Sequence, residues 1–155
     1  MLYLDTSVLV KFYFKELGSD AVLARAKHPR QELFTSVLTF AEMHSVMARK
    51  YREKQISLRA LSRLRDTFEK DWETLVSAVE LNLQSMAPLP KLVEQFRLKA
   101  GDAIQLSTAI SLKRKIEADG ESRESGDLEF AVADRNLAEI ASRCGLLVFN
   151  PEEEP

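Results

Sequence analysis

The sequence predicts an α/β fold with a mainly parallel central sheet, and three observations support this prediction. Short apolar runs of strand type alternate with longer segments of helical period along the 155 residues. The connecting segments are long enough for the crossovers that parallel strands need. Two of the apolar runs end on an aspartate, Asp5 and Asp134, and a helix-compatible segment follows each of them. In parallel α/β sheets, such a junction faces the crevice where ligands bind.

The first part of the chain predicts two strands and two short helices. Leu2–Leu4 is a short buried strand, and Thr6 or Ser7 caps the helix that follows. After a polar break, the helical pattern resumes over 21–27 and ends before a proline. Leu33–Ser36 is the second strand.

A third helix carries an unusual acid. The period becomes helical from Leu38, and Glu42 lies four residues after Leu38 and four before Val46. A carboxylate at this position points toward the buried side of the helix or its edge, which is costly unless charge or hydrogen bonds compensate. Its placement therefore makes Glu42 a functional candidate.

The middle of the chain predicts two more helices, a strand and a buried helix. Ser57 caps a long helix with apolar residues at core spacing as far as Trp72. Thr74–Leu81 is the third strand, and Met86–Phe96 is a helix entered through two prolines. Asp102 then starts a buried helix rich in small residues. Taken alone, Asp102 is better explained as a simple helix cap, which the helix dipole favours.

The C-terminal part begins with a polar stretch, Ala118–Asp127, which is predicted to be an exposed insertion. The fourth strand, Leu128–Ala133, ends on Asp134. The remaining segments are a helix over 137–142, a last strand over 146–149 and a solvated acidic tail over 151–155. We therefore expect one domain, over residues 1–150, followed by a short tail.

Composition excludes several classes of protein. The single cysteine, Cys144, rules out an internal disulfide and a multi-cysteine zinc site. The formal net charge of −2 gives no overall signature of nucleic-acid binding. No signal sequence precedes Asp5, and no apolar run approaches the roughly 18 residues of a membrane span. We therefore expect a cytoplasmic protein that does not associate with membranes.

The four acids singled out above form a predicted constellation. Asp5 and Asp134 follow strands and meet at one edge if the sheet is parallel, and the helices that carry Glu42 and Asp102 can reach that edge. Clustered carboxylates raise each other's pKa unless a cation neutralises them. Hard oxygen ligands favour Mg²⁺ or Mn²⁺ over zinc. The chemistry that uses such a site is phosphodiester hydrolysis by a metal-bound water.

Four motifs, in order and at the right spacing, resemble the PIN-domain family, most closely the VapC-like toxins of type II toxin–antitoxin pairs. The motifs lie at 4–10, 39–42, 101–106 and 133–137, and the segment 138–151 also fits. This resemblance implies an α/β/α sandwich and a metal-dependent endoribonuclease that cuts RNA. It further implies a homodimer that is inhibited by a small antitoxin protein, a segment of which inserts near the active site.

The resemblance also assigns roles to individual residues. Asp5, Glu42, Asp102 and Asp134 match the family's catalytic acidic quartet, with Asp5, Asp102 and Asp134 as ligands of Mg²⁺ or Mn²⁺. Ser7 matches a polar residue that orders the site beside the first acid.

Other positions extend or qualify this assignment. Arg135 directly follows the last acid and is the candidate contact for a substrate phosphate. Val132 departs from the family, since many members have threonine at this position and thus a hydroxyl near the metal. The basic clusters at 49–52 and 113–115 either follow an RNA backbone or are solvated helix faces.

Two alternatives of other classes remain. A non-catalytic PIN-like module would bind RNA or a protein without cleaving RNA. A haloacid-dehalogenase-like phosphatase built on Asp5 would need a second aspartate two positions on, where the chain has Ser7.

Overall fold

One parallel sheet organises the molecule. The computed structural model describes residues 1–28, 31–120 and 127–153. In these residues five strands pair in the order β3-β2-β1-β4-β5, and every pairing is parallel. The strands are β1 (Leu2–Leu4), β2 (Leu33–Ser36), β3 (Ser77–Val79), β4 (Glu129–Ala131) and β5 (Leu147–Phe149).

Helices connect the strands and cover both faces of the sheet. A 3-10 turn, Val10–Phe12, extends the first helix. Over the described ranges the helices are α1 (Thr6–Leu9), α2 (Ser19–Ala26), α3 (Val37–Arg52), α4 (Leu58–Thr74), α5 (Leu89–Gln95), α6 (Ala100–Asp119) and α7 (Arg135–Arg143).

The central strand divides the apolar core into two layers. Successive side chains of a strand point to opposite faces. Tyr3 accordingly belongs to one core with Leu106 of α6 and Leu137 of α7. Leu2 and Leu4 belong to the other core, which contains the methionines of α3 and Phe68 of α4. All three β1 side chains are fully buried, so the predicted α/β/α sandwich with a parallel sheet is confirmed.

Several predicted boundaries were wrong, each for a local reason. The third strand was predicted over 74–81, but α4 continues to Thr74 and only Ser77–Val79 pairs with β2. The sixth helix begins at Ala100 and not at Asp102, because Lys99 is the extended residue that caps it. Residues 103–110 of this helix are nearly all buried, polar ones included, so the apolar periodicity that would mark where the helix begins is weak.

The predicted acidic tail is not wholly solvated. Pro151 is buried, and a β-carbon on Gly18 would lie 2.6 Å from the Pro151 carbonyl oxygen. The buried ammonium of Lys11 lies 2.7 Å from Glu152 Oε1 and also donates to the Leu17 carbonyl at 2.8 Å. The start of this segment therefore packs on the domain, because a buried ammonium needs a carboxylate partner. Residues 154–155, and residues 121–126 of the predicted insertion, lie outside the described residues.

No helix in the described part of the chain is long and apolar enough to cross a membrane.

Candidate functional site

Asp5 lies where β1 meets α1, at the carboxyl edge of the sheet. Its backbone is still extended, and its side chain caps α1 by accepting from the Ser7 amide at 3.0 Å. The Ser7 hydroxyl donates to the same carboxylate oxygen at 2.6 Å. Ser7 Oγ also accepts from the Ala133 amide at 3.1 Å, which links the end of β1 to the segment after β4. Ser7 thus fixes the Asp5 carboxylate beside the neighbouring strand.

Asp134 follows the end of β4 by three residues and, like Asp5, directly precedes a helix. It caps α7 and accepts from the Leu137 amide at 2.8 Å. Unlike the buried Asp5, it is exposed. Val132 is fully buried in the apolar core that contains Tyr3. The hydrogen bond on the Asp134 carboxylate therefore comes from helix backbone, with no contribution from position 132.

Glu42, on α3, is held by a buried polar network. Its Oε2 accepts a short hydrogen bond from the Thr6 hydroxyl and another from Gln105 Nε2 at 3.1 Å. The same Gln105 amide group also donates to Thr39 Oγ1 at 2.8 Å. Gln105 Oε1 in turn accepts from the Tyr3 hydroxyl at 2.9 Å. These hydrogen bonds compensate the half-buried Glu42 carboxylate for the contacts with water that it loses on burial.

The acids also influence one another electrostatically. Burial raises the pKa of the Asp5 carboxyl, and the charge of Glu42 adds to this rise, while the Ser7 hydrogen bonds oppose it. Burial raises the pKa of Asp102 too, with the charges of Asp134 and Glu42 adding to it and Lys99 opposing it. Each acid is therefore close enough to at least one other to feel its charge.

Three of these acids line one open cleft of about 650 Å³. Its floor is the start of α1, one wall is α3, and the other wall is the first turns of α6. A β-carbon on Gly101 would lie 2.9 Å from Glu42 Oε1, so glycine allows α6 to approach this carboxylate closely. The lining residues are Asp5, Thr6, Ser7, Leu38, Ala41, Glu42, Ser45, Val46, Arg49, Arg52, Gly101, Asp102 and Gln105.

Comparison with known proteins decides the family. A family model described as the PIN domain matches residues 2–141, which is nearly the whole chain. The chain belongs to the PIN domain family. No curated protein matches it by sequence.

Solved structures share this PIN fold at low sequence identity. FitAcB from Neisseria gonorrhoeae superposes with a TM-score of 0.69 at 17% identity, covering 99% of this chain and 100% of that one. VapBC2 from Rickettsia felis, bound to a DNA fragment from its promoter, gives 0.63 at 14% identity, with coverage of 97% and 98%. A FitAB structure bound to the IR36 DNA fragment gives 0.64 at 17% identity, with coverage of 100% and 98%.

The donor chemistry of this PIN site suits a hard divalent cation. The four acids offer only carboxylate oxygens, and within the described residues none of them forms an ion pair with a lysine or arginine. In those same residues, however, no three acid, histidine or cysteine side chains converge closely enough to hold one ion. Asp5, Glu42 and Asp134 instead accept hydrogen bonds from nearby groups. The residues therefore fit Mg²⁺ or Mn²⁺ by charge and donor type, and ligation requires side chains to turn toward a common point.

Motif reading missed two features of the site, the contact of Arg135 with the tail and the role of Gln105. Arg135 is highly exposed, lies outside the cleft lining, and its Nε is 3.2 Å from Glu153 Oε1 in the predicted tail. Gln105 was not singled out from the sequence, although it holds Glu42. The available signal was a large amide among the small and apolar residues of 103–110, because a buried amide must find several partners.

Proposed function

We propose that this protein is a Mg²⁺- or Mn²⁺-dependent endoribonuclease and the toxin of a toxin–antitoxin pair. The observation that carries the proposal is the open cleft at the carboxyl edge of the sheet. Asp5, Glu42 and Asp102 line it, Asp134 is close enough to affect the pKa of Asp102, and no basic side chain pairs with any of them in the described residues. Membership of the PIN family, in which nuclease activity is typical, supports the same conclusion.

The proposed mechanism gives each acid a distinct position. Asp5, Asp102 and Asp134 would hold the ion, with Ser7 orienting Asp5. An ion held there would lower the pKa of a bound water and offset the charge that develops on the phosphate. Glu42 would be the proton acceptor, at Oε1, because its Oε2 already accepts from Thr6 and Gln105 while no described residue donates to Oε1.

The partners in this proposal are RNA, a small antitoxin and a second copy of the chain. The antitoxin and the homodimer rest on the resemblance to VapC-like toxins and on the likeness of the fold to FitAcB and VapBC2. Arg135 is assigned to a substrate phosphate, for which it would exchange its contact with Glu153. A pull-down with the product of an adjacent small reading frame tests the antitoxin, and light scattering tests the dimer.

RNA cleavage tests the enzyme directly. Purified protein is incubated with labelled total RNA in Mn²⁺, in Mg²⁺ and in EDTA, beside the Asp5→Asn variant. We expect cleavage in both metals and none in EDTA or with Asp5→Asn. An Asp5→Asn protein that cuts RNA as fast as the parent would contradict the assignment of Asp5 as a metal ligand.

One observation favours a second candidate, a non-catalytic PIN-like binding module. In the described residues the acids do not converge on a single point. Binding of RNA without cleavage in saturating Mn²⁺ would support this alternative. Membership of the PIN family leaves no support for the dehalogenase-like phosphatase.

A further inference from the structure

One face of α3 continues from the acidic part of the cleft to two arginines. Glu42, Ser45, Arg49 and Arg52 all line the cleft, at intervals of three, four and three residues. These intervals keep side chains on one face of a helix. At about 1.5 Å of rise per residue, Arg49 lies about 10 Å and Arg52 about 15 Å along the helix axis from Glu42.

These two arginines are not engaged elsewhere in the described part of the protein. Both are exposed, and neither forms an ion pair with another described residue. Lys50, between them in sequence, differs, since its ammonium lies 3.1 Å from Glu16 Oε1 and 4.6 Å from the ring centre of Phe14. The cleft therefore has acids at one end and two unpaired guanidinium groups at the other, although the whole chain has a net charge of −2.

This spacing suits the phosphates of one RNA strand. A stacked strand advances by about 3.4 Å per nucleotide, so Arg49 lies about three nucleotides from the acids and Arg52 about one nucleotide further. A guanidinium binds phosphate through two parallel hydrogen bonds. Leu38, Ala41 and Val46 give the same wall an apolar surface for riboses and bases.

We infer that Arg49 and Arg52 bind successive backbone phosphates of a single-stranded RNA, on one side of the bond that is cut. This inference rests on the proposed nuclease function and deepens it. Tyr51 takes no part, because it is not among the residues that line the cleft. Since both arginines act at a distance from the reacting bond, they contribute to binding of substrate and transition state alike. Their loss raises KM and leaves kcat unchanged.

Binding measurements test the inference independently of cleavage. The variants are Arg49→Gln, Arg52→Gln and their combination, with Arg63→Gln as the matched control. Arg63 is an exposed arginine of α4 and is not among the residues that line the cleft. Fluorescence anisotropy of a labelled single-stranded RNA is measured in EDTA between 50 and 200 mM salt, and thermal unfolding verifies that each variant is folded.

We expect the double variant to bind at least tenfold more weakly than the parent. The slope of log K against log salt should become shallower by about 1.4, since each lost phosphate contact on a single strand removes about 0.7 from its magnitude. Arg63→Gln should match the parent in both quantities. In cleavage assays, oligonucleotides too short to carry the phosphates that Arg49 and Arg52 bind should give the parent and the double variant the same KM.

The outcomes separate this inference from the nuclease proposal. Asp5-dependent cleavage, with a double variant that matches the parent in affinity and salt slope, would overturn the phosphate assignment alone. Weakened binding by the double variant, with no cleavage by the parent in any metal, would support the phosphate assignment and overturn the nuclease. A parent protein that binds no single-stranded RNA would also overturn the phosphate assignment. So would a double variant that loses no more affinity than Arg63→Gln does.

Discussion

Replacing Gly101 by alanine should reduce catalysis without weakening the fold. The new β-carbon would lie 2.9 Å from Glu42 Oε1, whereas ordinary contacts begin at 3.4 Å, so the carboxylate must move by at least half an ångström. The movement costs little, since the contact is with the end of a flexible side chain. Alanine is also preferred to glycine in a helix by about 0.5–1 kcal/mol. We therefore expect stability to stay equal or to rise by up to about 1 kcal/mol.

Catalysis should respond much more strongly than stability. A misplacement of about 1 Å in a reacting group costs on the order of 100-fold in rate, so a shift of half that size should reduce kcat by about 10-fold. Single-turnover cleavage of a defined RNA in Mn²⁺ measures this rate, and urea denaturation measures stability. In a Glu42→Gln background, Gly101→Ala should cause no further loss, because the two changes act through one carboxylate.

Two results would refute this reasoning about Gly101. A Gly101→Ala enzyme within twofold of the parent rate would show that the position of the Glu42 carboxylate is not critical. A loss of stability above about 2 kcal/mol would show that the helix, and not the Glu42 side chain, moves to relieve the contact.

Three further changes have distinct expected outcomes. Because the folded-state pKa of Asp5 is raised by burial, the metal-free protein should lose stability as pH rises through that pKa. Asp5→Asn keeps an acceptor for the Ser7 hydrogen bonds but carries no charge, so it should remove this loss of stability. In EDTA at neutral pH, the free energy of unfolding should rise by about 1 kcal/mol, which corresponds to an increase in Tm of about 2–4 °C. Gln105→Leu leaves the buried Tyr3 hydroxyl and Glu42 without an amide partner and should destabilise the protein by about 2–3 kcal/mol in urea denaturation. Gly18→Ala meets both a positive φ of 81° and the Pro151 carbonyl at 2.6 Å, and should cost about 2–4 kcal/mol by the same assay. If any of the three variants has the stability of the parent, the burial or the contact from which its prediction was derived is contradicted.

The layers of the fold could be predicted because they depend on local patterns. Fully apolar β1 predicts a strand buried on both faces, and the acids after β1 and β4 share an edge once the sheet is parallel. The start of α6 could not be predicted, since residues 103–110 are nearly all buried and show no polar face.

Long-range contacts explain what motif reading missed in the site. The network around Glu42 joins residues that are up to 102 positions apart, as in the hydrogen bond from Tyr3 to Gln105. Likewise, nothing near Arg135 in sequence indicates that Glu153 pairs with it. Residue types at strand ends can be read from sequence, whereas the partners that orient them depend on the packed structure.

Calorimetric titration with Mn²⁺ tests the central claim most directly, because the acids must come together around an ion for the proposed chemistry. The parent, Asp5→Asn, Asp102→Asn and Asp134→Asn are compared with Glu139→Gln, an exposed acid on α7. We predict that the parent and Glu139→Gln bind Mn²⁺ equally and that each aspartate variant loses at least tenfold in affinity. Equal affinity in all five proteins, or no binding by the parent, would contradict the metal site.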